Sequence, residues 1–259
     1  MKRTITGTAA IALGFSASTA MAATLHDVTI SSVVGEWVLP GPSTAFGVDI
    51  ETTDERTQIL WGKAPTGGSQ SGYEFDGIDT PANAAPGTEF NLGLFSHFNN
   101  PIYTYPGDGF TTAITEVNLK LDFNFLIGGQ DYFLSKIFDF KHDETPNEGG
   151  AGGACAYGGT SGVGPDAAGC RDHVSIGDSM NLTDRIVVDG LIYTFNLEGF
   201  KVGNETLEFF LTEENSINEA FLVGSYSVSQ VPLPAAGWML LAGFGGLVAM
   251  KRRKAKAQA

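Results

Sequence analysis

Trp61, His97, Asn99 and Asp172 are the side chains whose types and settings suit chemistry best. His97 stands in Ser96-His97-Phe98-Asn99-Asn100-Pro101, where an imidazole beside two amides would suit a sugar or metal pocket. The same residues also spell a turn, with the amides bonding their own backbone and His97 packed nearby. Asp172-His173 has the order of a carboxylate that orients a base. No Gly-x-Ser-x-Gly elbow accompanies it, and no nucleophile presents itself. Asp139, His142, Asp143, Glu144 and Glu148 form an acidic run whose oxygens would suit Ca²⁺, with Asp76, Asp79, Asp166 and Asp172 as rivals. The spacing fits no calcium loop, and a solvated face is the plainer reading. Trp37, Trp61 and Tyr73 would stack on sugar rings if exposed, but their strand-like settings favour core packing. No His-Glu-x-x-His, phosphate-cradling loop or dinucleotide fingerprint is present, so no catalytic residue, no resident metal and no cofactor other than Ca²⁺ is expected. Asn181-Leu182-Thr183 and Asn204-Glu205-Thr206 match a glycosylation sequon, which hints only at surface loops.

The elements that would position these groups are strands. Between Ala23 and Gln230 no long 3.6-residue periodicity occurs, whereas period-two alternation recurs. In Ile114 to Ile127, Val117, Leu119, Leu121, Phe123, Phe125 and Ile127 share a face, opposite Asn118, Lys120, Asp122 and Asn124. Leu191, Tyr193, Phe195 and Leu197 repeat the pattern, as do Leu207, Phe209 and Leu211. Further strands are expected at Val28 to Val34, Phe46 to Glu51, Thr57 to Trp61, Phe90 to Phe98, Tyr132 to Phe140, His173 to Ile176, Arg185 to Val188 and Glu219 to Val228. Turn-forming clusters separate them at Pro40 to Pro42, Pro65 to Gly72, Asp76 to Gly87, Pro106 to Gly109 and His142 to Gly169. Ten or so short strands without helices predict an all-β, antiparallel sandwich of one domain, with a jelly roll as the favoured version.

Cys155 and Cys170 are the two cysteines, and in an exported chain a disulfide between them is the expected state, with two free thiols as the alternative. Export is suggested at both ends. Lys2 and Arg3, the apolar stretch Ile5 to Ala17 and Ala20-Met21-Ala22 have the layout of a signal peptide over residues 1–22, cut between Ala22 and Ala23. Ala235 to Met250 is free of charge, which predicts a short membrane helix followed by Lys251, Arg252, Arg253, Lys254 and Lys256. The positive-inside rule holds that basic cluster in the cytoplasm and puts the body, 23–230, outside. The body carries all 29 acidic residues and 8 of the 15 basic ones, a formal charge of −21, which excludes nucleic acid as a partner.

Val231-Pro232-Leu233-Pro234-Ala235, the apolar stretch and the basic cluster together resemble the VPLPA variant of PEP-CTERM sorting signals. The resemblance implies recognition by an exosortase, a transpeptidase-like membrane enzyme, with cleavage near the prolines. An ordinary single-span anchor is the alternative. The two prolines would hold the tetrad extended, a form an active site can grip.

In the body, Leu60-Trp61-Gly62-Lys63-Ala64-Pro65, Ser71-Gly72-Tyr73-Glu74-Phe75, Leu92-Gly93-Leu94-Phe95-Ser96-His97-Phe98-Asn99-Asn100-Pro101-Ile102 and Cys170-Arg171-Asp172-His173-Val174 resemble the choice-of-anchor domains of type K. That family implies a β-rich surface domain carried on different sorting tails, and it brings no catalytic residues.

The expectation is therefore a non-enzymatic surface or extracellular-matrix protein of a Gram-negative-type bacterium. Its partners would be the secretory translocon, signal peptidase, an exosortase and possible extracellular polysaccharide, with a transient stay in the inner membrane. A carbohydrate- or Ca²⁺-dependent binding module is the first alternative, and a secreted hydrolase the second.

Overall fold

The computed structural model describes residues 24–53, 56–103, 109, 111–145, 152–177 and 184–232. The expected signal peptide with its Ala22/Ala23 bond, the apolar stretch 235–250, Leu233 to Ala235 and the basic cluster lie outside them, as do Asn181, Leu182 and Thr183 of the first sequon and Glu148. Among the described residues no helix is long and apolar enough to cross a membrane.

The described residues form fourteen strands: β1 (Val28–Val38), β2 (Asp49–Thr52), β3 (Arg56–Trp61), β4 (Ser71–Gly77), β5 (Ala82–Ala84), β6 (Phe90–Asn99), β7 (Glu116–Ile127), β8 (Gln130–Asp143), β9 (Asp172–Ile176), β10 (Asp184–Val188), β11 (Leu191–Val202), β12 (Glu205–Leu207), β13 (Phe209–Thr212) and β14 (Ser216–Gln230). They pair antiparallel in two sheets, ordered β13-β9-β8-β7-β1-β5 and β10-β11-β14-β6-β4-β3-β2, with β12 on β11. The chain is all-β, as the alternation predicts.

The alternation on β7 is what the core is built on. Val117, Leu119, Leu121, Phe123, Phe125 and Ile127 are all buried, while Asn118, Lys120, Asp122 and Asn124 lie on the other face. Gly128 and Gly129, at φ 60° and 81°, turn β7 into β8, and Asp189 and Gly190, at 48° and 79°, turn β10 into β11. Two successive positive φ angles match the twist of a two-residue hairpin, which explains the residues used. Between the sheets, Trp37 packs on Phe140 at 5.3 Å and Tyr73 at 5.5 Å, and Phe95 packs on Phe200 at 5.3 Å. Each fully buried aromatic ring contributes roughly 1.5–3 kcal/mol through the water it leaves.

Four expectations need correction. β4 falls where turns were expected on either side, because Gly72 and Gly77 read as breakers. Packing requires both: a Cβ on Gly72 would lie 2.5 Å from the Ile59 carbonyl oxygen, and one on Gly77 would lie 1.9 Å from that of Val33. The short β5, paired with the start of β1, lies inside the expected Asp76 to Gly87 turn. The strand expected at Phe46 is the exposed edge β2, which starts only at Asp49 because Gly47 turns the chain at φ 62°. Finally, Leu207, Phe209 and Leu211 do not form one buried face. The chain changes sheets at Glu208, so Phe210 and Thr212 point inward and Phe209 is left exposed.

Candidate functional site

Six inward-facing stripes change from apolar to polar at the same end of the sandwich. On β6 the inward series is Phe95, His97, Asn99; on β8 it is Phe138, Phe140, His142. On β4 it runs back from Phe75 through Tyr73 to Ser71, and on β9 from Ile176 through Val174 to Asp172. β13 contributes Phe210 then Thr212, and β3 ends at Trp61. Register makes these residues neighbours: Tyr73 lies directly opposite His97, and Asp172 opposite Thr212. Alternation along each strand is enough to aim all of these side chains between the sheets.

The result is a sealed polar cluster. His97, Asn99, Tyr73, Trp61, Asp172 and Thr212 are each 0% exposed, and His142 is 5% exposed. One ligating atom from each of His97, His142 and Asp172 lies within 4.8 Å of the others. The His97 ring stacks on Trp61 at 5.9 Å and stands edge-on to His142 at 5.3 Å. His97 Nδ1 is 2.8 Å from the Thr212 hydroxyl, and Asn99 Nδ2 donates to the Thr212 carbonyl at 3.2 Å. His142 bridges Tyr73 and Glu144: its Nδ1 is 2.5 Å from the Tyr73 hydroxyl and its Nε2 3.0 Å from Glu144 Oε2. Asp172 Oδ1 accepts the Thr145 amide at 2.7 Å, and Thr145 Oγ1 donates to the Cys170 carbonyl.

Four buried atoms here have no hydrogen-bond partner: His97 Nε2, Asp172 Oδ2 and both oxygens of Glu214. Asn99 Oδ1 and Trp61 Nε1 are also unpartnered. The Glu214 carboxyl is close enough to Asn99 and Asp172 to feel both, without the geometry of a hydrogen bond. Burial, and then the neighbouring carboxylates Asp172 and Glu144, push Glu214 up to about 9. Burial, and then Glu144, push Asp172 up to about 7. Burial, and then His142, hold His97 well below the usual imidazole range, so it is neutral. Burial, and then Asp172 and Glu144, hold Tyr73 well above the phenol range. Tyr73 therefore keeps its proton, and the direction of its bond to His142 Nδ1 follows the imidazole tautomer.

The loop that carries Asp172 is anchored by the expected disulfide. Cys155 and Cys170 are bonded, with their Cα atoms 5.4 Å apart. Despite its glycines, the described part of this loop has its own backbone bonds, including Gly152 N to Ser161 O at 3.1 Å and Ser161 N to Gly153 O at 2.9 Å. Asp166, 1% exposed, accepts the Arg171 amide and Nε at 3.0 and 3.2 Å.

Of the residues singled out in the sequence, the fold brings Trp61, His97, Asn99 and Asp172 together. The acidic run does not act as one unit. His142 points inward, Asp143 points outward to accept the Tyr157 hydroxyl, and Asp139 lies on the outer face opposite Asn118. Trp37, Trp61 and Tyr73 are at most 2% exposed, so none offers a face to a sugar. His173 points away from Asp172, stacked between Tyr157 at 4.4 Å and Phe209 at 5.2 Å, so this pair is not a carboxylate orienting a base. Thr212 and Glu214 drew no notice in the sequence. His142 was legible only as the next step of the Phe138, Phe140 alternation.

Chemically, the Thr212–His97 contact resembles a hydroxyl beside a base, and Tyr73–His142–Glu144 a proton relay. Thr212, His97, Tyr73 and His142 are buried, whereas Glu144 at the end of the relay is partly exposed. The arrangement is suited to holding something small and fixed. No protein-family model matches the chain, and no curated protein matches it.

Proposed function

We propose that the chain is an exported surface protein with no catalytic activity of its own. In this reading it is delivered by the secretory route, cut by an exosortase-type enzyme at Val231 to Ala235 and retained on the cell surface or in an extracellular polysaccharide matrix. The observation that carries the reading is where the sheet stops. β14 ends at Gln230, and the amide of Val231 makes a last bond to the Gly190 carbonyl at 2.9 Å. The proline tetrad thus begins where the last described strand ends, and Val231 is 40% exposed. A cut there would leave every strand intact. The disulfide supports an oxidising destination, since such bonds persist outside the cytoplasm. The body's charge of −21 suits solubility among anionic polymers in salt.

The finer fold assignment belongs to the same proposal. The chain passes repeatedly between the two sheets, from β1 to β2, β5 to β6 and β13 to β14, which supports a jelly-roll-like sandwich of the choice-of-anchor kind.

The test is to fractionate cells that possess and that lack the sorting enzyme. The expected result is a shortened form in the surface or matrix fraction, replaced by full-length protein in the inner membrane when the enzyme is deleted. Full-length protein in the inner membrane of both strains overturns the proposal.

A further inference from the structure

We propose that His97, His142 and Asp172, with Glu214 beside them, form a structural site for one divalent transition cation of the zinc type, which ties the two sheets together. The inference goes beyond the sorting proposal and stands independently of it.

Three features of the cluster carry it. First, donor atoms from both sheets converge: His97 comes from β6 in one sheet, while His142 and Asp172 come from β8 and β9 in the other. Their ligating atoms span at most 4.8 Å. Zinc bonds of about 2.0–2.2 Å place tetrahedral ligands roughly 3.4 Å apart, so small side-chain rotations close the shell. Second, two of the three clustered residues have an atom left without a partner, His97 Nε2 and Asp172 Oδ2, as have the Glu214 oxygens beside them. Buried polar atoms are nearly always paired, so orphans on residues gathered this closely call for a shared occupant. Third, the far side of each ligand is held. His97 Nδ1 meets Thr212, His142 Nδ1 meets Tyr73, and Asp172 Oδ1 takes the Thr145 amide. Metal-bound imidazoles almost always have the second nitrogen occupied in this way.

The donor set selects the ion. Two imidazoles with carboxylate oxygens suit Zn²⁺ and its neighbours, whereas Ca²⁺ takes six to eight oxygens. Burial on all sides leaves no open coordination position for a reacting water, which makes the site structural. The His142 Nε2 now bonded to Glu144 would turn to the ion, with Glu144 close enough to share it.

The experiment uses untagged full-length chain, stripped with a chelator and then given ZnCl2 or CaCl2 in separate arms. Bound metal is measured after gel filtration, and thermal melting is followed by circular dichroism. One zinc per chain is expected to be retained, raising Tm by on the order of 10 °C at a free concentration about a thousand times Kd. Calcium should do neither. H97Q and D172N should each cut retained zinc at least about tenfold, and H26Q, outside the cluster, should not. Because the site variants could misfold, Co²⁺ added to the unaltered chain provides a second reading: it should give strong visible absorption that one equivalent of Zn²⁺ abolishes. Failure of the unaltered chain to hold zinc, retention of calcium in its place, or equal retention by folded H97Q and D172N overturns the proposal.

Discussion

Removing the disulfide is the perturbation whose size follows most directly from the fold. Cys155 and Cys170 are 15 apart in sequence, and closing a loop of that length lowers the unfolded chain's entropy by about 3 kcal/mol. In the native state the described loop keeps its backbone bonds, and Asp166 keeps Arg171, so the folded side should lose little when the bond goes. For a domain of this size each kcal/mol moves Tm by about 2–4 °C, so C155S/C170S should melt roughly 6–12 °C lower. The assay is thermal circular dichroism with and without reductant. Reduction should lower the unaltered chain to the level of the variant and leave the variant unchanged. The loop also feeds the cluster, through the Cys170 carbonyl on Thr145 and the Thr145 amide on Asp172. A variant that melts within about 2 °C of the oxidised protein would refute the reasoning, because the loop would then be constrained equally in both states.

T212V removes the hydroxyl on His97 Nδ1 and leaves a second ring nitrogen unpaired, which should cost about 1–3 kcal/mol in denaturant unfolding, while T212S should restore most of it. G77A should destabilise by about 1–3 kcal/mol, since its Cβ would meet the Val33 carbonyl, whereas G153A, with open space around it, should be near neutral in the same assay. In chelator, the metal-free protein should lose stability as pH rises from about 7 to about 9, above the range in which the neutral His97 works in the opposite direction. Asp172 and Glu214 hold folded values near 7 and 9, above their ordinary 3.8 and 4.5. The folded chain therefore keeps protons that the unfolded chain releases, and a denaturation midpoint that climbs over this range would contradict the assignment.

The strands whose two faces differ were readable residue by residue. β7 is the plainest, because hydrophobic and polar side chains alternate along its whole length. β4 was hidden because Gly72 and Gly77, required by close backbone approach, carry no side chain to show an alternation. The inward register of β13 was hidden because the change of sheet at Glu208 shifts the phase by one residue. Trp61, His97, Asn99 and Asp172 could be noticed singly, but their convergence depends on six strands from two sheets. No local spacing records that. His142 sat in an apparent acidic run because Asp143 alternates away from it in a strand that runs three residues past the last apolar one, Phe140. Thr212 and Glu214 are common residue types with no motif around them; register against β9 places Thr212 opposite Asp172, and Glu214 follows two residues later.

The account's central claim is that a strand-built, disulfide-closed body travels outward and parts from its tail. The most direct measurement is the intact mass of the protein recovered from the cell surface or surrounding matrix. The account predicts a chain that starts near Ala23, retains the Cys155–Cys170 bond and ends within Val231 to Ala235. A surface form that still carries Arg252 and Arg253 would contradict it.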